Sequence, residues 1–80
     1  MTIEVYGKPA CVMCTATGRK LANLELEYKY TDVSIDAEAL EFTKSLGYMQ
    51  APVLVIRDQD GGILDSWSGF NPDKLNALAA

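Results

Sequence analysis

Apolar and polar positions alternate at the start of the chain and then change to a longer period. Thr2–Tyr6 has the period-two pattern and the residue types of a strand, and a turn cluster follows at Gly7–Ala10. From about Val12 to Leu24 there is no proline, and small and apolar positions recur at helical spacing. We therefore predict a strand and then a helix, whose buried stripe comprises Cys14, Gly18, Leu21 and Ala22.

The middle of the chain repeats this order. A second strand is predicted around Glu27–Asp32. Ser34 or Asp36 can cap a second helix that ends at Gly47, because short polar residues favour helix N-termini and glycine favours C-termini. The predicted buried stripe of this helix comprises Ile35, Ala39, Phe42 and Leu46. A strand, helix, strand order implies a right-handed crossover between two parallel strands.

The last third of the chain predicts a β-hairpin and a third helix. The runs Pro52–Arg57 and Gly62–Trp67 flank a loop of turn-forming residues that begins at Asp58. Asn71 suits the N-cap of a helix, and Pro72 suits its first position. Because 80 residues support one hydrophobic core, we predict a single α/β domain over residues 1–80 with the order βαβαββα.

Composition and charge exclude several classes of protein. The formal net charge is −4, so the chain lacks the basic surface that attracts nucleic acids or anionic membranes. Its longest apolar run, Ala51–Ile56, is far shorter than the ~20 residues that span a bilayer, and the amino terminus does not resemble a secretory signal. We expect a cytoplasmic protein that binds neither nucleic acid nor membrane.

Cys11 and Cys14 are the only cysteines, and several explanations fit such a pair. A disulfide that closes so short a loop removes little chain entropy, about 2 kcal/mol, so it would be a weak structural staple. Structural zinc needs four Cys or His ligands, and the chain has no histidine, so zinc or an iron–sulfur cluster would need a dimer that shares ligands. No metal site is therefore predicted. Two buried core cysteines remain the plain alternative to a redox-active pair.

The position of the pair favours redox chemistry, because C-x-x-C at the start of the first helix of a βαβαββα chain resembles the thioredoxin fold. That fold has a four-stranded mixed sheet flanked by three helices. A helix N-terminus stabilises a thiolate, so we predict that Cys11, in the first turn, is the nucleophile and that Lys8 adds positive charge. Cys14 lies on the same side of that turn, where it can resolve a mixed disulfide. The expected redox centre is the Cys11–Cys14 disulfide, with no bound cofactor.

The stretch around Pro52 predicts a substrate-binding edge. The residue before a proline favours extended geometry, so Ala51 is expected to present its N–H and C=O groups to an extended substrate segment. The resemblance implies that Pro52 is cis and faces the dithiol. The rim around the dithiol is predicted to be apolar and rather flat, which suits a protein partner. It comprises Val12, Met13, Met49, Ala51 and Trp67.

Three segments resemble the NrdH redoxins, which are small glutaredoxin-like proteins that behave like thioredoxins. They are Lys8–Cys14, Leu46–Leu54 and Trp67–Leu75, and the likeness covers essentially the whole chain. The resemblance implies a dithiol carrier that receives electrons from NADPH through thioredoxin reductase, a flavoprotein. It implies delivery of these electrons to the large subunit of class Ib ribonucleotide reductase. We expect the carrier to be a monomer.

The loop after the last strand comes close to the dithiol in this fold. Ser68 and Gly69 are predicted to shape it, since glycine lets two backbones approach each other. Trp67 is either a partner contact or a half-buried core aromatic, and Phe70 is expected in the core. The chain departs from the usual family pattern at Asn71, where many members have arginine. It also departs at Met13, where glutamine is common.

Two alternative functions remain open. A glutathione-dependent glutaredoxin commonly has proline after the first cysteine and an acidic pair near the last helix, whereas this chain has Val12 and only Asp73. Gly61 and Gly62 resemble the diglycine of glutaredoxins, but they fall in the hairpin turn, whose tip is expected to point away from the dithiol. The second alternative is a non-catalytic thioredoxin-fold adaptor, and the intact cysteine pair argues against it.

Overall fold

The elements of the computed structural model, which describes residues 1–80, follow the predicted order. They are β1 Thr2–Gly7, α1 Val12–Asn23, β2 Lys29–Asp32, α2 Ala37–Ser45, β3 Val53–Arg57, β4 Ile63–Ser68 and α3 Pro72–Leu78. The strands form one sheet in the order β2-β1-β3-β4. β1 is parallel to β2, whereas β3 is antiparallel to both of its neighbours. The predicted thioredoxin-like fold, with a four-stranded mixed sheet and three helices, is confirmed.

The sheet buries a different set of side chains on each face. On one face α1 and α3 cover the main core, which comprises Ile3, Val5, Leu21, Leu54, Ile56, Trp67 and Leu75. On the other face α2 packs through Phe42, whose ring centroid lies 5.5 Å from that of Tyr6. The guanidinium carbon of Arg57 lies 5.4 Å from the same Phe42 centroid. Arg57 Nε donates to Glu4 Oε1 at 2.9 Å, and this hydrogen bond raises the pKa of Arg57.

Three positions predicted to be buried are exposed, so those predictions were wrong. Ile35 is 84% exposed because Asp36, rather than Ser34, caps α2, which leaves Ile35 before the helix begins. Ala22 is exposed on the solvent side of α1. Phe70 is 38% exposed because it lies in the loop before α3, outside the layers that bury side chains.

Two threonines that the predicted buried stripes do not include are buried. Thr17 in α1 and Thr43 in α2 face the sheet and are almost fully buried. Their hydroxyls donate to carbonyl oxygens of their own helices, Thr17 to Met13 and Thr43 to Leu40, each at 2.8 Å. Because each hydroxyl is paired within its helix, the remaining surface of the side chain packs like an apolar one. This is why an apolar pattern alone misses these positions.

The pairing of β1 with β3 brings the cysteines close to Pro52. Tyr6, near the end of β1, pairs with Val53, the first residue of β3. The chain leaves β1 toward Cys11 and enters β3 from Pro52, so both segments lie at one end of the sheet. The hairpin turn at Asp58–Gly62 lies at the other end, as predicted. None of the three helices has the length and apolar character needed to cross a bilayer.

Candidate functional site

The cysteine pair begins α1. Cys11 is the N-cap residue, with φ −115° and ψ 106°, and so it precedes the first turn in which it was predicted. Its Sγ accepts a hydrogen bond from the backbone N–H of Cys14 at 3.1 Å. The two residues form a disulfide with a Cα–Cα distance of 5.2 Å. Cys11 is half-buried and Cys14 is only 5% exposed, so an attacking group reaches the first sulfur more easily.

The electrostatic surroundings favour negative charge on Cys11. The first turn of α1 has no acidic residue, and its unpaired N–H groups carry partial positive charge. Lys8 lines the cleft around Cys11. One contact disfavours negative charge on Cys11, because the carbonyl oxygen of Ala51, which carries partial negative charge, lies 3.9 Å from the Cys11 sulfur. In the dithiol form a Cys11 thiol could donate to this oxygen, whereas in the disulfide it has no proton.

The Ala51–Pro52 segment presents a free backbone edge beside Cys11. The carbonyl before Ala51, that of Gln50, accepts from Ser68 Oγ at 2.7 Å, and the carbonyl of Pro52 accepts from Gly69 N at 2.8 Å. The N–H and C=O of Ala51 itself make no backbone hydrogen bond. The peptide bond between Ala51 and Pro52 is cis, as the resemblance implied. Ser68 and Gly69 therefore hold the segment from one side, and the backbone groups of Ala51 have no backbone partner on the other side.

The cleft around the dithiol gathers most of the predicted rim. It is lined by Lys8, Cys11, Val12, Met13, Met49, Gln50 and Ala51. Val12 is 84% exposed and Met49 is 83% exposed, so the rim offers apolar surface to a partner. Gln50 is the only lining residue that the sequence analysis did not predict. Its position between the predicted residues Met49 and Ala51 could have indicated it. Gly69 faces Met13, because a Cβ at Gly69 would lie 4.0 Å from the Met13 sulfur.

Trp67 lies in the core and outside this rim. Its side chain is 7% exposed and belongs to the main hydrophobic cluster. Lys74 Nζ lies 5.0 Å from the centroid of its ring and 2.9 Å from Asp65 Oδ2. The hydrogen bond from Lys74 lowers the pKa of Asp65. Of the two roles predicted for Trp67, the structure gives it the packing role, which leaves little of its surface for a partner.

The features shared with glutathione-binding glutaredoxins lie apart from the cysteines. Gly61 and Gly62 form part of the hairpin turn at the opposite end of the sheet. Asp73 is exposed in the first turn of α3, whose N-cap is Asn71, as predicted. Lys8 is the single charged residue that lines the dithiol cleft, and a second cleft, lined by both cysteines, adds Arg19. Neither cleft offers a negative charge to a small charged ligand.

Comparisons with known proteins agree with this geometry. Residues 3–60 match the family model of glutaredoxin. The chain is 36% identical over 78 residues to the glutaredoxin-like protein NrdH of Escherichia coli K12, covering 98% of this chain and 89% of that protein. It is 34% identical over 77 residues to the gene 56 protein of Mycobacterium phage L5, covering 95% of this chain and 70% of that protein.

Two solved structures are similar over nearly their whole length. The NrdH-redoxin from Escherichia coli has a TM-score of 0.86 and 36% identity, with 98% of this chain and 95% of that chain covered. The thioredoxin-like protein BC3987 has a TM-score of 0.79 and 31% identity, with 96% and 99% covered. These matches, together with a cysteine pair whose first member caps α1 and lies beside Ala51, leave one assignment. The chain belongs to the glutaredoxin family as an NrdH-type thiol redox protein with the thioredoxin fold.

Proposed function

We propose that this protein is a dithiol electron carrier between thioredoxin reductase and the large subunit of a class Ib ribonucleotide reductase. The similarity to NrdH proteins over 98% of the chain supports this path. The observation that carries the proposal is the free backbone edge of Ala51 beside the Cys11 sulfur, within an apolar rim. Such an edge binds an extended, cysteine-bearing segment of another protein by adding a strand.

The first step is attack by the Cys11 thiolate on a disulfide of the partner. A bond forms between the Cys11 sulfur and one partner sulfur, while the partner's S–S bond breaks and its second sulfur leaves as a thiolate. The N–H of Cys14, 3.1 Å from the Cys11 sulfur, stabilises the attacking anion. Only the more exposed cysteine can reach the partner, so Cys11 takes the nucleophilic role.

The second step releases the partner. The Cys14 thiol loses its proton to solvent and attacks Cys11, which forms the Cys11–Cys14 disulfide and frees the other partner thiolate. Both partner thiolates take protons from solvent, so two electrons and two protons have moved to the partner. Thioredoxin reductase then returns two electrons from NADPH to the carrier's disulfide. The carrier therefore holds its electrons in the cysteine pair and needs no bound cofactor.

The match to the glutaredoxin family model favours one second candidate, a glutathione-dependent glutaredoxin. Glutathione has two carboxylates and an amino group, each of which needs a charged or hydrogen-bonding partner. The clefts beside the cysteines supply Lys8, Arg19 and Lys44 for the carboxylates but no acidic residue for the amino group. The absence of a partner for the amino group supports a protein, rather than glutathione, as the natural substrate.

An NADPH oxidation assay distinguishes the two reductants. The oxidised protein is offered NADPH with thioredoxin reductase in one arm, and NADPH with glutathione reductase and millimolar glutathione in the other. We expect efficient reduction in the first arm and slow reduction in the second, and no protein-dependent oxidation for Cys11→Ser in either. Comparable rates in the two arms would make the protein a glutaredoxin proper.

A non-catalytic adaptor is tested by counting thiols. A carrier loses both free thiols on mild oxidation and regains them on reduction, whereas an adaptor keeps the same number throughout.

We further propose that the carrier works as a monomer in the cytoplasm, where the reducing environment keeps such a pair cycling. Sedimentation of the reduced protein at the mass of a dimer would contradict the monomer.

A further inference from the structure

A second cleft opens beside the substrate-binding edge, on the side of the sheet that carries α2. Its volume is about 120 Å³, and its floor includes the apolar side chains of Val33, Leu40 and Val53. It shares four lining residues with the dithiol cleft: Lys8, Met49, Gln50 and Ala51. The two clefts are therefore continuous, and a segment paired with Ala51 lies close to both of them.

The volume indicates which side chain fits. An apolar cavity of about 150 Å³ holds a benzene molecule, so this slightly smaller cleft suits a branched aliphatic side chain. The floor residue Val53 is buried, whereas Val33 and Leu40 are half-buried and leave apolar surface facing the opening. Covering this surface with leucine, isoleucine or valine removes it from water, which favours binding.

The rim of the same cleft carries only positive charge. Lys8 and Lys44 are exposed there, and no acidic residue lines the cleft, although the chain as a whole has a net charge of −4. Lys8 makes no ion pair in the structure. Lys44 lies 3.8 Å from Glu41, but both side chains are exposed and such pairs contribute little. Both lysines are therefore available to a carboxylate.

We propose that this cleft is a specificity pocket for an aliphatic residue two positions from an aspartate or glutamate, so that both side chains lie on one face of the extended segment, near the reactive cysteine of a protein partner. The backbone of the partner segment pairs with Ala51, its aliphatic side chain fills the cleft and its carboxylate binds Lys8 and Lys44. In an extended segment, side chains on one face recur about every 7 Å, so the aliphatic residue lies within a few positions of the cysteine. The proposal rests on the proposed attack of Cys11 on protein disulfides.

Short peptides test the pocket without any reductase. Each peptide has one cysteine capped with thionitrobenzoate, and a leucine and a glutamate with one alanine between them, written Leu-Glu, at one to four positions on either side of the cysteine. The Cys11 thiolate of chemically reduced protein attacks the peptide sulfur and releases coloured thionitrobenzoate, and Cys14 then frees the peptide thiol. The dithiol thus supplies the two electrons that reduce the capped disulfide. Peptides with Ala-Gln, Leu-Gln or Ala-Glu in the same place are the controls.

We expect one position at which Leu-Glu reacts about fivefold faster than Ala-Gln or more, with leucine and glutamate each contributing. The K8Q/K44Q variant should remove the preference for glutamate over glutamine and keep that for leucine over alanine. The K20Q/K29Q variant makes the same charge change outside this cleft and should keep both preferences. Added salt should reduce the glutamate preference alone.

Equal rates for the Leu-Glu peptides and their controls at every position would overturn the proposed pocket. A preference for leucine alone or for glutamate alone would also overturn it. A glutamate preference that survives in K8Q/K44Q would also overturn it. The first two outcomes do not depend on whether a variant folds, because the peptides are compared on the unaltered protein. Failure of the thioredoxin reductase assay would reject the proposed electron path and leave the peptide preferences measurable, so the two failures are distinguishable.

Discussion

The backbone groups at the two ends of the sheet differ in whether they have hydrogen-bond partners within the protein. At the hairpin end, Asp58 Oδ1 accepts hydrogen bonds from the N–H groups of Asp60 and Gly62, each at 2.9 Å. Arg57 Nη1 donates to the Gly61 carbonyl at 2.8 Å. At the dithiol end, the N–H and C=O of Ala51 have no backbone partner. The backbone groups of the hairpin turn are therefore hydrogen-bonded within the turn, whereas those of Ala51 are left open.

The difference shows how an open backbone edge is kept ordered without a partner strand. The carbonyls on either side of Ala51 are bound by Ser68 and Gly69, so the segment is fixed although its middle residue is free. Exposed apolar side chains, Val12 and Met49 among them, surround this edge, whereas the hairpin turn is polar. In a turn that only closes a hairpin we expect paired backbone groups, because a backbone N–H or C=O group that is buried without a partner costs stability.

The largest effect is expected when the second cysteine is removed. Cys14→Ser leaves Cys11 able to attack a partner disulfide but unable to be displaced, so turnover should stop and a mixed disulfide should accumulate. Non-reducing electrophoresis after mixing with the partner detects the trapped species, and Cys11→Ser is the matched control that forms none. Full multiple turnover by Cys14→Ser would reject the assigned roles.

Alkylation rates sharpen the contrast between the two sulfurs. Cys11 is half-buried at the helix N-terminus and Cys14 is 5% exposed, so iodoacetamide should modify Cys11 in the reduced protein about tenfold faster or more. Mass spectrometry of peptides from timed samples measures both rates at neutral pH. Equal rates would mean that exposure and helix position do not distinguish the two thiols.

Turns and helix caps are local signals, and from them the sequence predicted the elements, whereas the meeting of the cysteines with Pro52 was implied by the resemblance to the thioredoxin fold. One error is local, because two residues could cap α2: the choice of Asp36 over Ser34 as the N-cap moved Ile35 out of the helix. Other features depend on contacts between residues far apart in the sequence. The bond from Ser68 to the Gln50 carbonyl joins residues 18 positions apart, and no pattern along the chain reveals it. The cleft beside α2 was missed for the same reason.

Removing the Ser68 hydroxyl tests whether the ordered edge matters for binding. The Gln50 carbonyl and the Ala51 N–H belong to one peptide group, so Ser68→Ala frees the orientation of the N–H that a substrate strand uses. A lost hydrogen bond of about 0.5–1.5 kcal/mol corresponds to roughly a two- to tenfold loss in kcat/KM for a protein partner. Reduction of hydroxyethyl disulfide, which lacks a strand, should change little. Ser68→Thr should restore the rate.

At the hairpin end, a comparable change should alter stability and not redox activity. Asp58→Ala removes the acceptor for two turn N–H groups, and we expect the free energy of unfolding to fall by about 1–2 kcal/mol. Denaturant unfolding measures this loss, with exposed Gln59→Ala as the control in the same turn. A reduced rate of electron transfer in Asp58→Ala would show that the two ends are coupled.

The smallest effect concerns the ion pair of Asp65 and Lys74, which lies over Trp67 between the two ends. The hydrogen bond from Lys74 lowers the pKa of Asp65 in the folded protein. A lowered pKa contributes stability that is present above the unfolded value of about 3.9 and is lost as the pH falls through the folded value.

Because both side chains of this pair are about half exposed, solvent screens the pair and the change is small. Between about pH 5 and about pH 3, the unfolding midpoint should fall slightly more for the unaltered protein than for Asp65→Asn, which lacks this titration. Trp67 fluorescence follows the transition, since Lys74 Nζ lies 5.0 Å from its ring centroid. Identical pH profiles for the two proteins would show that the pair adds nothing to the attachment of α3, which would leave the packing of Leu75 to hold that helix.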